Sequence, residues 1–187
     1  MHIRLKIWHS SYTESIDILY SSNTFVISNP AVIEYLPLSL QPQLLNTIRT
    51  LRFVWELLGN TVPPTMIHDY PQSLLHIQIK HQEKWRKIWG IISVMEGLHE
   101  LHVKLFVCDY TWANLNKDAA AYLLEPVKQV TRPEVFTITL PFPPMYEGMP
   151  PEARGSWRAL NGWEGSDPWD DLPNCTIQRI CSSEIFS

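Results

Sequence analysis

The stretch Glu14–Ser28, ESIDILYSSNTFVIS, decides the fold class. Its first half continues an apolar stripe: Leu5, Trp8, Tyr12, Ile16, Leu19 and Tyr20 recur at spacings of three and four, which is one face of a helix. Ser21-Ser22-Asn23 reads as a tight turn. Phe25 and Ile27 then alternate with their neighbours as a short strand does. A helix followed at once by a strand is the unit from which the rest of the chain is read.

The same order recurs three times downstream. Asn29-Pro30 is a helix start, with Asn able to cap free amides and Pro suited to the first turn. Pro37 is predicted to close that helix by disfavouring a helical Leu36. From Ile48 the period becomes two, with Leu51, Phe53, Trp55 and Leu57 on one side and Arg52, Val54 and Glu56 on the other. Gly59–Pro71 reads as a loop. His81–Glu96 is a helix with the stripe Trp85, Ile88, Trp89, Ile92, Met95, and Gly97 is its expected stop. A third strand comes next, with Leu101, Val103, Leu105 and Val107 opposed to His102, Lys104 and Phe106. Lys117–Glu125 reads as a helix packing through Ala119, Tyr122 and Leu123 and ended by Pro126. Phe136, Ile138 and Leu140, set against Thr137 and Thr139, form a fourth strand.

Helices alternating with strands imply a parallel sheet with right-handed crossovers. A parallel sheet covered on both faces has continuous apolar strands. These strands alternate, so helices are expected on one face only. The predicted fold class is α/β: repeated helix-strand units, a mainly parallel four-stranded sheet with helices on one face, and an irregular leucine-rich-repeat-like stack. The repeat lengths are uneven and a regular asparagine ladder is absent. After Pro141 the composition shifts, with seven of the fifteen prolines in the last 47 residues. The expected organisation is an αβ repeat-like domain over 1–142 and an irregular or partly disordered Pro/Trp-rich tail over 143–187.

Composition narrows the function classes. The chain has 187 residues, 45% hydrophobic and 18% charged, enough for a real core. A net charge of −4 carries no polyanion signal, so no nucleic-acid partner is expected. Cys108, Cys175 and Cys181 are odd in number and lack a CxxC spacing, which fits a reducing compartment. No run nears the roughly 18 apolar residues of a membrane helix, and the N-terminus lacks a secretory core. An intracellular protein, cytoplasmic or nuclear, with no membrane partner is expected.

No motif carries a reaction. His99 and His102 lie three apart on a strand, so they face opposite sides and do not share a metal. His76 and His81 are five apart, and Cys175 and Cys181 have no histidine nearby. Phosphate-cradling glycine motifs and a nucleophile elbow are absent. Glu96 and Glu100 read as a helix-end charge and a strand-edge charge. Lys80, Lys84, Arg86 and Lys87 flank Trp85 and Trp89, but the helix stripe sends the tryptophans to the core and the charges to water. Trp157, Trp163 and Trp169 recur every six residues; they read either as docking anchors or as a cover for the open sheet face. No cofactor and no catalytic or metal residue is expected.

Tyr12-x-Glu14-x-Ile16-x-x-Leu19-Tyr20-Ser-Ser-Asn23-Thr24-Phe25 resembles the opening signature of a family of filamentous ascomycete fungi, domain of unknown function 7730. Ile48-Arg49-x-Leu51 with Trp55, the Trp85/Trp89 helix, Gly97-Leu98-x-x-Leu101 and Leu124-Glu125-Pro126 are similar to later segments of that family. The resemblance spans roughly residues 8 to 142. It implies a fungal origin and a shared fold, but no reaction. Members often begin with an F-box-like segment and carry a Cys-Arg pair before the tyrosine. Trp8 and His9 stand there instead, which implies a short or divergent N-terminus.

The expected function is therefore a non-catalytic protein-interaction module. Its open face would present Arg52, Glu56, His102, Lys104, Phe106, Thr137 and Thr139 to a protein or peptide partner. The alternatives are an F-box-like ubiquitin-ligase substrate adaptor, implied by the resemblance, and an enzyme of unknown reaction.

Overall fold

The computed structural model describes residues 15–57, 75–107, 117–141, 169 and 172–180. Expectations placed on Leu5, Trp8, Tyr12, the Gly59–Pro71 loop, Cys108, Trp157, Trp163 and Cys181 lie outside these residues. Helix α1 (15–22) leads into β1 (Thr24–Ile27). The side chains of Ser21 and Ser22 donate to the Ile18 carbonyl, and Asn23 donates to that of Leu19 at 2.7 Å. These side chains bond back onto carbonyls of the last helical turns, as Ser and Asn do near helix ends. Helices α2 (Ala31–Ser39) and α3 (Pro42–Leu45) connect to β2 (Thr50–Leu57); α4 (Leu75–Ser93) to β3 (Glu100–Val107); α5 (Lys117–Val127) to β4 (Val135–Pro141).

Every strand pair is parallel, and the strands lie side by side in chain order, β1-β2-β3-β4-β5. The register places like with like. Phe25, Leu51, Leu101 and Phe136 form one lateral row, and Ile27, Phe53, Val103, Ile138 and Ile177 the next. Helices α2, α4 and α5 contribute Ile33, Trp85, Ile88, Trp89, Ile92, Leu123, Leu124 and Val127 to the same core cluster. Trp85 stands edge-on to Trp55 at 4.8 Å, and Trp89 reaches Phe53 at 5.8 Å and Phe136 at 6.1 Å. The stripe read from helical spacing is thus the centre of the core.

Several expectations need correction. Among the described residues the sheet has five strands, not four: β5 (Thr176–Ile180) arises within the stretch expected to be an irregular tail. Its alternation is only five residues long and is obscured by the surrounding prolines. Pro37 does not close α2, which runs on to Ser39 and a bond from Leu40 N to Leu36 O. One missing bond to the Ile33 carbonyl is offset by the complete burial of Ile33. Pro126 likewise lies inside α5, one residue before its end, and forgoes one bond, to the Tyr122 carbonyl. Leu19, expected in a buried stripe, is 55% exposed; Tyr20 makes the inward contact, stacking on Phe25 at 5.4 Å.

Gly97 follows α4 by four residues and has a different task from stopping it. A β-carbon there would stand 1.7 Å from the main-chain oxygen of Asn46. The two loops that feed β2 and β3 are held together at this point. Asn46 Oδ1 accepts from Glu96 N at 3.1 Å, and Arg49 donates to the Gly97 carbonyl at 3.0 Å. His99 N and Glu100 N both donate to the Arg49 carbonyl. This clasp sets the register of the two central strands at their N-terminal ends.

Candidate functional site

The residues alternating with the core rows form the opposite face. Register fixes their neighbours: Val26, Arg52, His102, Thr137 and Thr176 in one row, then Val54, Lys104, Thr139 and Gln178, then Glu56 beside Phe106. All seven residues expected on an open face therefore share one face. They are not equally accessible. Arg52 and Glu56 are exposed, while His102, Lys104, Phe106 and Thr139 are half-buried. Thr137 is only 8% exposed, so it is not presented as expected. Its short side chain lies between His102 and Thr176, on a strand that the unforeseen β5 turns from edge to interior.

Arg52 and Lys104 put two cations in the middle of the face, with the His102 imidazole beside both. Glu100 Oε2 stands 3.7 Å from His102 Nε2, on the side of the strands' N-terminal ends. The Lys104 ammonium lies 5.9 Å from the centre of the Phe106 ring, near the outer limit of a cation–π contact. Two depressions mark this surface. One of about 460 Å³ is lined by Val26, Arg52, Val54, His102, Lys104, Thr139 and Gln178, together with Phe53 and Val103. A second of similar size lies at the C-terminal ends of β1 to β3, between Ser28, Asn29, Pro30, Val54, Glu56 and Phe106. Open parallel sheets commonly hold their ligands at that end.

Sequence reasoning misses Val54, Gln178 and Glu100 as members of this surface. Alternation puts Val54 on the correct side, but its apolar side chain gives no sign of a site. Gln178 belongs to the unforeseen β5. Glu100 reads as an isolated strand-edge charge, though the same alternation sets it on the side of His102.

The other chemically suggestive groups sit apart from this face. His99 pairs with Glu134 at 3.3 Å. Burial, with a smaller effect of Lys84, holds the His81 pKa below its usual value. Arg86 lies over the Tyr122 ring at 4.8 Å, and Lys87 approaches Glu34 at 3.8 Å. Trp169 is completely buried in the core and is not an exposed docking anchor. Among the described residues no group of three or more His, Cys, Asp or Glu is placed to hold a metal ion. Among the same residues, no helix is long and apolar enough to cross a membrane.

Fold and face together define a parallel α/β protein with helices packed on one side of the sheet and a polar, partly exposed surface on the other. A family model described as Domain of unknown function (DUF7730) matches residues 5–156, and the chain belongs to that family. No curated protein and no solved structure matches it.

Proposed function

We propose that this chain is a non-catalytic protein-interaction module, built as an irregular leucine-rich-repeat-like stack, that binds a protein or peptide through the face carrying Arg52, Glu56, His102, Lys104, Phe106 and Thr139. The supporting observation is the lateral row Arg52–His102–Thr137, whose chain neighbours Leu51, Phe53, Leu101, Val103, Phe136 and Ile138 are all buried on the other side. Rigid strands hold such a surface at low conformational cost. The F-box-like adaptor and the fungal origin rest on the family resemblance, and the segment that would carry an F-box precedes residue 15, outside the described residues.

The test is partner capture by full-length chains carrying Lys104→Glu or Phe106→Ala, followed by mass spectrometry. Both variants are expected to keep the wild-type circular dichroism spectrum and to lose partners held by the wild type. An unchanged partner set with both variants would remove this face as the site.

A further inference from the structure

Charge is distributed on the exposed face as a band. Arg52 and His102 are lateral neighbours, and Lys104 lies two residues further along β3. With strands about 4.8 Å apart and about 3.3 Å per residue, the three side chains arise within roughly 10 Å of one another. That is close to the screening length at physiological salt, so the potentials of the two cations, Arg52 and Lys104, add. Thr139 and Gln178 line the same depression and supply hydroxyl and amide donors. The band is bounded along the strands. Glu100 stands on one side, next to His102, and Glu56 lies beyond Lys104 on the other, beside Phe106.

Resting on the interaction reading above, we infer that the partner is an acidic peptide segment that crosses the strands over Arg52, His102 and Lys104 with Asp or Glu side chains in this depression. The bounding carboxylates repel anions placed outside the band, which confines the negative charge to the two rows between them. Phe106 offers apolar contact to a neighbouring side chain of the same segment. A nucleic acid fits less well: its phosphates would run over Glu56 or Glu100, and the chain as a whole carries −4. A short acidic stretch instead sets its carboxylates directly over Arg52 and Lys104, the two charged residues that line the depression.

The experiment selects binders from a random dodecapeptide display library on the immobilised full-length chain. Selected peptides are expected to be enriched in Asp and Glu over the starting library. A synthetic copy of a selected peptide is expected to lose about tenfold or more in affinity when its acids become amides, and likewise against the chain carrying Arg52→Glu and Lys104→Glu. Arg52→Gln with Lys104→Gln, which removes charge without reversing it, is expected to lose less, guarding against a folding artefact. Selection without acidic enrichment, or equal binding by the charge-reversed chain, overturns the inference. So does a phosphorylated peptide that binds when its Asp/Glu counterpart does not. If non-acidic peptides bind and Phe106→Ala abolishes that binding, only the acidic partner is lost and the face stands as a site. If binding is indifferent to every one of these substitutions, the interaction reading falls too.

Discussion

Trp85 donates its indole N–H to the main-chain carbonyl of Leu123 at 2.9 Å, which ties α4 to α5 in the centre of the core. Trp89, one turn further along the same helix and equally buried, has no acceptor for its indole N–H among the described residues. The two tryptophans look alike in the sequence but stand in different energetic positions.

Trp85→Phe is therefore expected to destabilise more than Trp89→Phe. The first loses the indole–carbonyl bond that joins α4 to α5, at about 0.5–1.5 kcal/mol, whereas the second removes a buried donor that already lacks a partner. Both lose some packing, so the difference between them is the informative quantity. Urea unfolding of the two variants measures it, and equal midpoints would contradict this account.

Two glycine substitutions are expected to have opposite signs. Gly97→Ala forces its methyl group into the Asn46 main chain and is expected to cost at least about 2 kcal/mol. Gly90 lies inside α4, where an added β-carbon meets nothing within 4 Å. Gly90→Ala is expected to stabilise by about 0.5–1 kcal/mol, because it lowers the entropy of the unfolded chain. Thermal melts of both variants decide the matter.

Partial burial pushes the Cys175 thiol from 9.0 up to about 12, only partly countered by a backbone hydrogen bond involving Ile138. The thiolate is the reactive form, so alkylation by iodoacetamide at pH 8 is expected to be slow in the native protein and fast in denaturant. Peptide mapping separates this site from Cys108 and Cys181. The raised value also means that stability falls as pH rises above about 9, where the unfolded chain loses the proton and the folded chain keeps it. Cys175→Ala is expected to weaken that alkaline dependence.

His81 has the acid-side counterpart. Its folded pKa lies below 6.5 because burial, aided by Lys84, disfavours the imidazolium. Above pH 6.5 both states are neutral and it contributes nothing. As pH falls below that value the unfolded chain takes up a proton first, so stability declines. His81→Gln is expected to flatten this decline in denaturant midpoints measured between pH 7 and pH 5; an unchanged slope would show that His81 does not cause it.

Much of the architecture is legible in the sequence because it rests on local periodicity. Trp85, Ile88, Trp89 and Ile92 are buried by a helical spacing visible in one short window, Met95 is buried just past the end of that helix, and the alternation around Phe53, Val103 and Ile138 identifies both faces of the sheet. The features that escape such a reading depend on distant partners. Gly97 reads as a helix stop because its steric neighbour, Asn46, belongs to a loop far earlier in the chain. Pro37 and Pro126 read as terminators because the local rule ignores what tertiary burial offsets. Composition hides β5, and with it Gln178 and the reason Thr137 is recessed. Which residues share the face is readable; how far each rises above it is not.

The order of the strands has a consequence for how the molecule comes into being. Each strand of the sheet lies against the one synthesised just before it. As the chain emerges from the ribosome, every new strand finds its docking edge already made, and none has to be threaded between two that have set. Growth by accretion in a single direction keeps the exposed seam short at every moment, and the Asn46–Gly97 clasp would latch β3 to β2 before β4 arrives.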